Sequence, residues 1–122
     1  MFAPLWLMLA IVFIAGAMGA LIRHAATVLG TPHSLGVRRR ITTINTVGAF
    51  CAGALVAIDH PVAPLITVGL FGSLTTFSTI AVWLAHDIRQ RKAAQALTIV
   101  LSHVLLGVLA VLAGFLIGQT SL

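Results

Sequence analysis

The sequence predicts an all-α membrane protein, a single domain over residues 1–122 with four transmembrane helices, the third of them broken. Three observations predict it. Hydrophobic residues make up 60% of the chain and charged residues only 7%, where a soluble domain carries about 25% charged residues. The apolar residues fall into four runs, each near the ~20 residues needed to cross a bilayer. One of those runs is interrupted by two glycines, Gly69 and Gly72, and by four hydroxyls, Thr75, Thr76, Ser78 and Thr79.

The first span covers roughly residues 3–29. Its start lacks a basic segment, and its apolar run is longer than that of a cleaved signal, so it reads as a retained span. A turn-rich loop from Gly30 to Gly36 follows, closed by Arg38, Arg39 and Arg40. The second span covers roughly 41–58, and Asp59, His60 and Pro61 make a short turn. The third covers roughly 62–86, the loop from Asp87 to Lys92 comes next, and the fourth covers roughly 93–118.

The loops alternate sides, and all seven bases fall on one of them: Arg23, Arg38, Arg39, Arg40, Arg89, Arg91 and Lys92. The side with both termini, Asp59 and His60 has none. The positive-inside rule places both termini outside and the basic loops in the cytoplasm. The net charge of +5 then serves orientation and contact with anionic lipid headgroups rather than nucleic acid.

Small residues form stripes at helical spacing. They are Gly16, Gly19 and Ala20 on the first span, Gly48, Ala49, Ala52 and Gly53 on the second, and Gly107, Ala110, Gly114 and Gly118 on the fourth. Such stripes let membrane helices approach closely. Irregular backbone at membrane depth survives only where it is buried in protein or lines a wet cavity. The broken third run is therefore the first place to look for a permeation or binding site.

Catalysis and metal chemistry find little support. Asp59 and Asp87 are the only carboxylates and both read as loop residues, so no nucleophile–base pair lies within a span. The histidines are scattered, Cys51 is alone, and the chain reads as no enzyme. The polar residues inside the spans are instead hydrogen-bond donors. Asn45 either ties two helices together or presents its NH2 to an anion. Arg23 either snorkels to the headgroups or makes a vestibule positive. Thr98 and Ser102, four apart, either bond their own helix or form a polar track. His103, beside Ser102, is left unassigned, closer to packing than to a ligand. Phe77 either packs or turns its electropositive ring edge to an anion. Cation transporters coupled to protons use a carboxylate in the bilayer, and none is present here. The donor set suits a small, hard anion, without choosing among halides.

Three motifs carry a family resemblance: Gly16-Ala-Met-Gly-Ala-Leu-Ile-Arg23, Asn45-Thr-Val-Gly-Ala-Phe50 with Gly53, and Gly72-Ser-Leu-Thr-Thr-Phe-Ser-Thr79. Ser102 ahead of Gly107 also fits. Over nearly its whole length the chain resembles the CrcB/Fluc fluoride channels. The resemblance implies a dimer of antiparallel subunits in the bacterial inner membrane, with fluoride pores lined by both chains and toxic fluoride leaving the cytoplasm passively. It implies a structural sodium ion (Na+) held by the main-chain carbonyls of Gly72 and Thr75. The pore residues it maps are Arg23, Asn45, Phe77, Thr79, Thr98 and Ser102. The family's second aromatic-box Phe is Ile80 here, its Gly-Thr before the second span is Arg40-Ile41, and its fourth-span Tyr is Ala94.

A homodimer of antiparallel copies needs one chain to insert both ways. The one-sided bases oppose that, so the expected assembly is a heterodimer with an oppositely oriented relative, a homodimer being the other option. Two other functions compete. A small multidrug-resistance-type transporter would carry a glutamate in the first span, and this chain has none. A non-transport assembly subunit would account for the glycine stripes but not for the hydroxyl cluster.

Overall fold

Apolar runs without interior proline become long helices at both ends of the chain. The computed structural model describes residues 4–28, 30–32 and 34–120. Helix α1 is Leu5–Val28, α2 is Leu35–Val56, α3 is the short Ala63–Ile66, α4 is Gly72–Leu74, α5 is Ser78–Arg89 and α6 is Ala93–Thr120. A π-helical stretch, Thr67–Phe71, joins α3 to α4. No strand occurs among the described residues. The chain is a multi-pass, all-helical membrane protein. Three stretches are long and apolar enough to cross a bilayer: Leu5–Val28, Ala63–Arg89 and Ala93–Thr120. Residues 3 and 29, expected at the ends of the first span, lie outside the described residues.

The fourth long helix, α2, corrects one expectation. It begins at Leu35, so Arg38, Arg39 and Arg40 are helical and not part of the loop. The reason is local. The Ser34 hydroxyl accepts the Val37 N–H at 3.3 Å and caps the helix, and arginine is a good helix former. With 22 residues the helix is about 33 Å long, enough to span, although its arginines make it less apolar than the other three.

Packing depends on backbone contact. A Cβ at Gly53 would overlap the Val111 carbonyl, and one at Gly114 the Phe50 carbonyl. Helices α2 and α6 therefore touch through their main chains, as small residues allow in a bilayer. On the other side, a Cβ at Gly19 would overlap the Leu70 carbonyl and Ser73, which seats α1 against the π stretch and α4. Gly107, in the same stripe as Gly114, meets nothing within 4 Å.

Large apolar side chains point outward, such as Phe13 at 78% exposure, as expected when the solvent is lipid. The buried cluster is Val37, Ile41 and Trp83, at the arginine-bearing end. There Arg38 and Asp87 form a two-pronged ion pair, Nη1 to Oδ2 at 2.9 Å and Nη2 to Oδ1 at 3.0 Å. The Arg38 guanidinium also lies 5.6 Å from the centre of the Trp83 ring, and Trp83 Nε1 donates to the Pro32 carbonyl at 3.2 Å. These contacts pin the start of α2 to the end of α5.

Candidate ion-binding cleft

Between α4 and α5 the chain leaves helical geometry. Thr75 is extended, with φ −75° and ψ 146°. In a continuous helix the Thr76 N–H would bond the Gly72 carbonyl, and the Thr79 N–H would bond the Thr75 carbonyl. Neither does so here. The Thr76 N–H donates to Asn45 Oδ1 at 3.0 Å, and the Asn45 Nδ2 donates back to the Thr76 carbonyl at 3.2 Å. The Thr79 N–H donates to Thr76 Oγ1 at 3.4 Å. The side-chain amide of α2 thus stands in for a stretch of main chain. The Thr76 hydroxyl, one of those that looked anomalous in the sequence, thus takes the place of a helical acceptor, as short polar side chains can. Thr75 Oγ1 donates to the Phe71 carbonyl at 2.8 Å, and Thr76 and Ser78 share a hydroxyl contact at 2.8 Å.

This arrangement opens onto a cleft of about 500 Å³. Asn45, Gly48 and Ala49 line it from α2, Phe71, Gly72 and Thr75 from the π stretch and its continuation, and Thr76, Phe77 and Ile80 from beyond. The lining is mostly apolar with a few convergent polar groups, the usual make-up of a ligand site. Phe77 is 75% exposed, so its ring stands free of the chain's own core, while Ile80 is buried at 6%.

The structure gathers some of the predicted residues and separates others. Asn45, Gly72, Thr75 and Phe77 share the cleft. Thr79 lines a different one, of about 420 Å³, with Thr27, Ser78 and Trp83. Two residues along a helix turn about 200°, so Phe77 and Thr79 face opposite ways. Thr98 is exposed and its hydroxyl donates to the Ala94 carbonyl at 2.9 Å. Ser102 donates to the Ile99 carbonyl at 3.0 Å. Both hydroxyls thus serve their own helix, and α6 reaches the cleft instead through Val100, His103 and Val104. Arg23 is half-buried on α1, away from this lining. His103, left unassigned in the sequence and read as closer to packing than to a ligand, lines the cleft. Its signal was there: residues 100, 103, 104 and 111 share one face at helical spacing, and His103 is the one polar member of that face.

Among the described residues no three His, Cys, Asp or Glu side chains group to hold a metal. Any cation at the break would have to use main-chain oxygen. Gly72 and Thr75 both line the cleft, and the usual helical donors to their carbonyls are diverted. Hard oxygen donors of this kind suit a hard cation.

A family model described as CrcB-like protein, Camphor Resistance (CrcB), matches residues 10–115. The chain belongs to the CrcB family. Curated relatives agree. The chain is 32% identical over 114 residues to "Fluoride-specific ion channel FluC 1" of Staphylococcus aureus (strain NCTC 8325 / PS 47), covering 88% of this chain and 93% of that one. It is 40% identical over 80 residues to a protein of the same name from Prochlorococcus marinus (strain MIT 9313), covering 58% of this chain and 61% of that relative's length. A "Fluoride-specific ion channel FluC" of Paracoccus denitrificans (strain Pd 1222) is 29% identical over 113 residues. Asn45 and Thr76, the pair that bond across the cleft wall, both lie within the matched residues.

Proposed function

We propose that the chain is a subunit of a fluoride-selective ion channel of the inner membrane, lowering cytoplasmic fluoride by passive export. The observation that carries this reading is the Asn45–Thr76 pairing, which holds the break open with the Phe77 ring exposed over it. Asn45 spends one Nδ2 hydrogen on Thr76 and has a second to offer. The ring edge of Phe77 is electropositive and accepts no hydrogen bonds. Donors without nearby carboxylates select a small, strongly accepting anion. The family is one of ion channels, so no enzyme activity is assigned.

The third run acts in this reading as a broken membrane helix, with Gly72 and Thr75 offering carbonyls to a structural sodium ion. Broken helices present carbonyl ends to cations in other transport proteins. The ion would neutralise oxygen atoms that the break leaves without their helical donors, and hold subunits together where it is shared. A lone subunit leaves the cleft open on one side, and an oppositely oriented chain would close it into a pore. The one-sided bases, with Ile80 where the family has Phe, favour a heterodimer in which a relative supplies the second orientation.

The test is efflux from liposomes containing the purified chain, alone and with a candidate partner, using fluoride and then chloride. Fluoride release without chloride release supports the reading. Equal passage of both halides, or of neither in every combination, would overturn it.

A further inference from the structure

The cleft that holds Asn45 and Phe77 contains one titratable side chain among its described lining residues, His103. An ionisable residue within a membrane span is costly to keep and usually has a task. His103 Nδ1 lies 2.8 Å from the Ile99 carbonyl, and Nε2 lies 3.1 Å from Thr42 Oγ1. A carbonyl only accepts, so Nδ1 carries a hydrogen. The Thr42 hydroxyl has one hydrogen to give, and the Arg38 carbonyl is 2.9 Å away to take it.

That inventory has two solutions. With a bare Nε2, the Thr42 hydrogen can turn to His103, and the Arg38 carbonyl loses its hydroxyl donor. With Nε2 protonated, Thr42 accepts from His103 and donates to Arg38, and all three contacts become hydrogen bonds at once. The heavy atoms need not move between them. One proton therefore changes the cleft from neutral to positive without rebuilding it.

The surroundings leave that proton as the cleft's own charge. Helix α6 packs against α2 and α5. From α2 the charged groups are Arg38, Arg39 and Arg40, with the Cys51 thiol. Arg38 is the one linked to His103 through Thr42, and its guanidinium is engaged by Asp87. From α5 they are His86, Asp87 and Arg89, all in its last turn. None of these lines the cleft.

We propose that His103 is a specificity-determining residue of the ion path whose protonation makes the cleft positive, so that fluoride passage at limiting fluoride rises on acidification. This rests on the fluoride-channel reading above. It also supplies a positive charge where the family's second aromatic edge is absent, since Ile80 lines the same cleft.

The experiment is fluoride efflux at low fluoride and equal pH on both sides, from about pH 8 to about pH 5. It uses full-length chain in its conducting assembly, and protein-free vesicles correct for leak of the neutral acid. Wild type should rise several-fold as pH falls. His103→Gln should remove the rise, leaving a rate that no longer depends on pH whatever its absolute level. Thr42→Val, which removes the partner of Nε2, should keep a rise but shift its midpoint. A wild-type profile that is flat, or one that His103→Gln leaves unchanged, overturns the role of His103 while the channel stands. No fluoride flux at any pH overturns both. A His103→Gln protein that fails to fold is replaced by His103→Asn, and the imidazole titration of wild type is then followed by NMR. Absence of any protonation step over this pH range overturns the proposal.

Discussion

Asn45 and Thr76, 31 residues apart, exchange two hydrogen bonds between a side-chain amide on α2 and the main chain at the break. The amide occupies both the main-chain donor and the main-chain acceptor of one residue, Thr76. Replacing it with alanine leaves the buried Thr76 N–H and carbonyl unpaired, at a cost of about 1–3 kcal/mol. Asn45→Asp is expected to be worse than Asn45→Ala for transport, because it places an acceptor against the Thr76 carbonyl and a negative charge beside the cleft. Thermal unfolding in detergent reads the first effect and fluoride efflux the second.

Phe77 separates transport from folding. Its ring is largely exposed, so its removal takes little from the chain's own core. Phe77→Leu is expected to leave the melting temperature and the assembly close to wild type while fluoride flux falls by at least an order of magnitude. If flux survives, the ring edge is not part of the ion path.

Much of the frame was legible in the sequence, and the reasons are physical. The unbroken apolar runs of α1 and α6 have no other stable placement, so their ends fall close to where hydropathy puts them. The start of α2 was misplaced because three consecutive arginines look like a loop, while the Ser34 cap and a distant carboxylate make them helical. The hydroxyl cluster flagged an irregular backbone, but its partner Asn45 sits on another helix, and no local pattern encodes that pairing. Thr98 and Ser102 looked like a polar track because they share a spacing. Only the structure shows that each donates to a carbonyl of α6. His103 stayed unassigned because its partner Thr42 is 61 residues away, a pairing that no local pattern encodes.

The Arg38–Asp87 pair tests how the arginine-bearing end is held. Both side chains are largely buried, at 12% and 2% exposure. Removing one partner strands the other charge, so Asp87→Asn is expected to cost about 3–5 kcal/mol. The paired replacement Arg38→Met with Asp87→Leu should recover most of that loss, because a buried ion pair can be exchanged for apolar packing at little cost. The comparison of three melting curves decides it, and equal destabilisation in the single and double variants would contradict a mutual pairing.

Gly114 and Gly107 belong to one stripe but differ in surroundings. A Cβ at Gly114 would strike the Phe50 carbonyl, a main-chain atom that can yield only if α2 and α6 move apart, whereas one at Gly107 meets nothing within 4 Å. Gly114→Ala is expected to destabilise by about 1–3 kcal/mol, the range for overpacking a close contact. Gly107→Ala should be neutral for the fold of the chain, or slightly stabilising, since alanine is the better helix former. Thermal unfolding of the two variants in the same detergent makes the comparison.

The one-sided bases make the last prediction. Arg39, Arg40, Arg89, Arg91 and Lys92 lie near one end of the helices, and the opposite turn holds Asp59 and His60. With no bases to compete at that turn, insertion should proceed in a single orientation. A reporter fused to the C-terminus is expected to read one side of the membrane only. The combined change Asp59→Arg, His60→Arg, Arg91→Ala and Lys92→Ala moves two positive charges to the turn and removes two from the basic loop. That variant should begin to read both sides, because the bias that sets orientation falls from seven bases against none to five against two. An antiparallel pair can then form from one gene product. If a fixed orientation is what prevents self-pairing, the variant should conduct fluoride alone where the wild type requires a partner. Fluoride flux from the singly oriented wild type, purified by itself, would show that orientation is not the constraint.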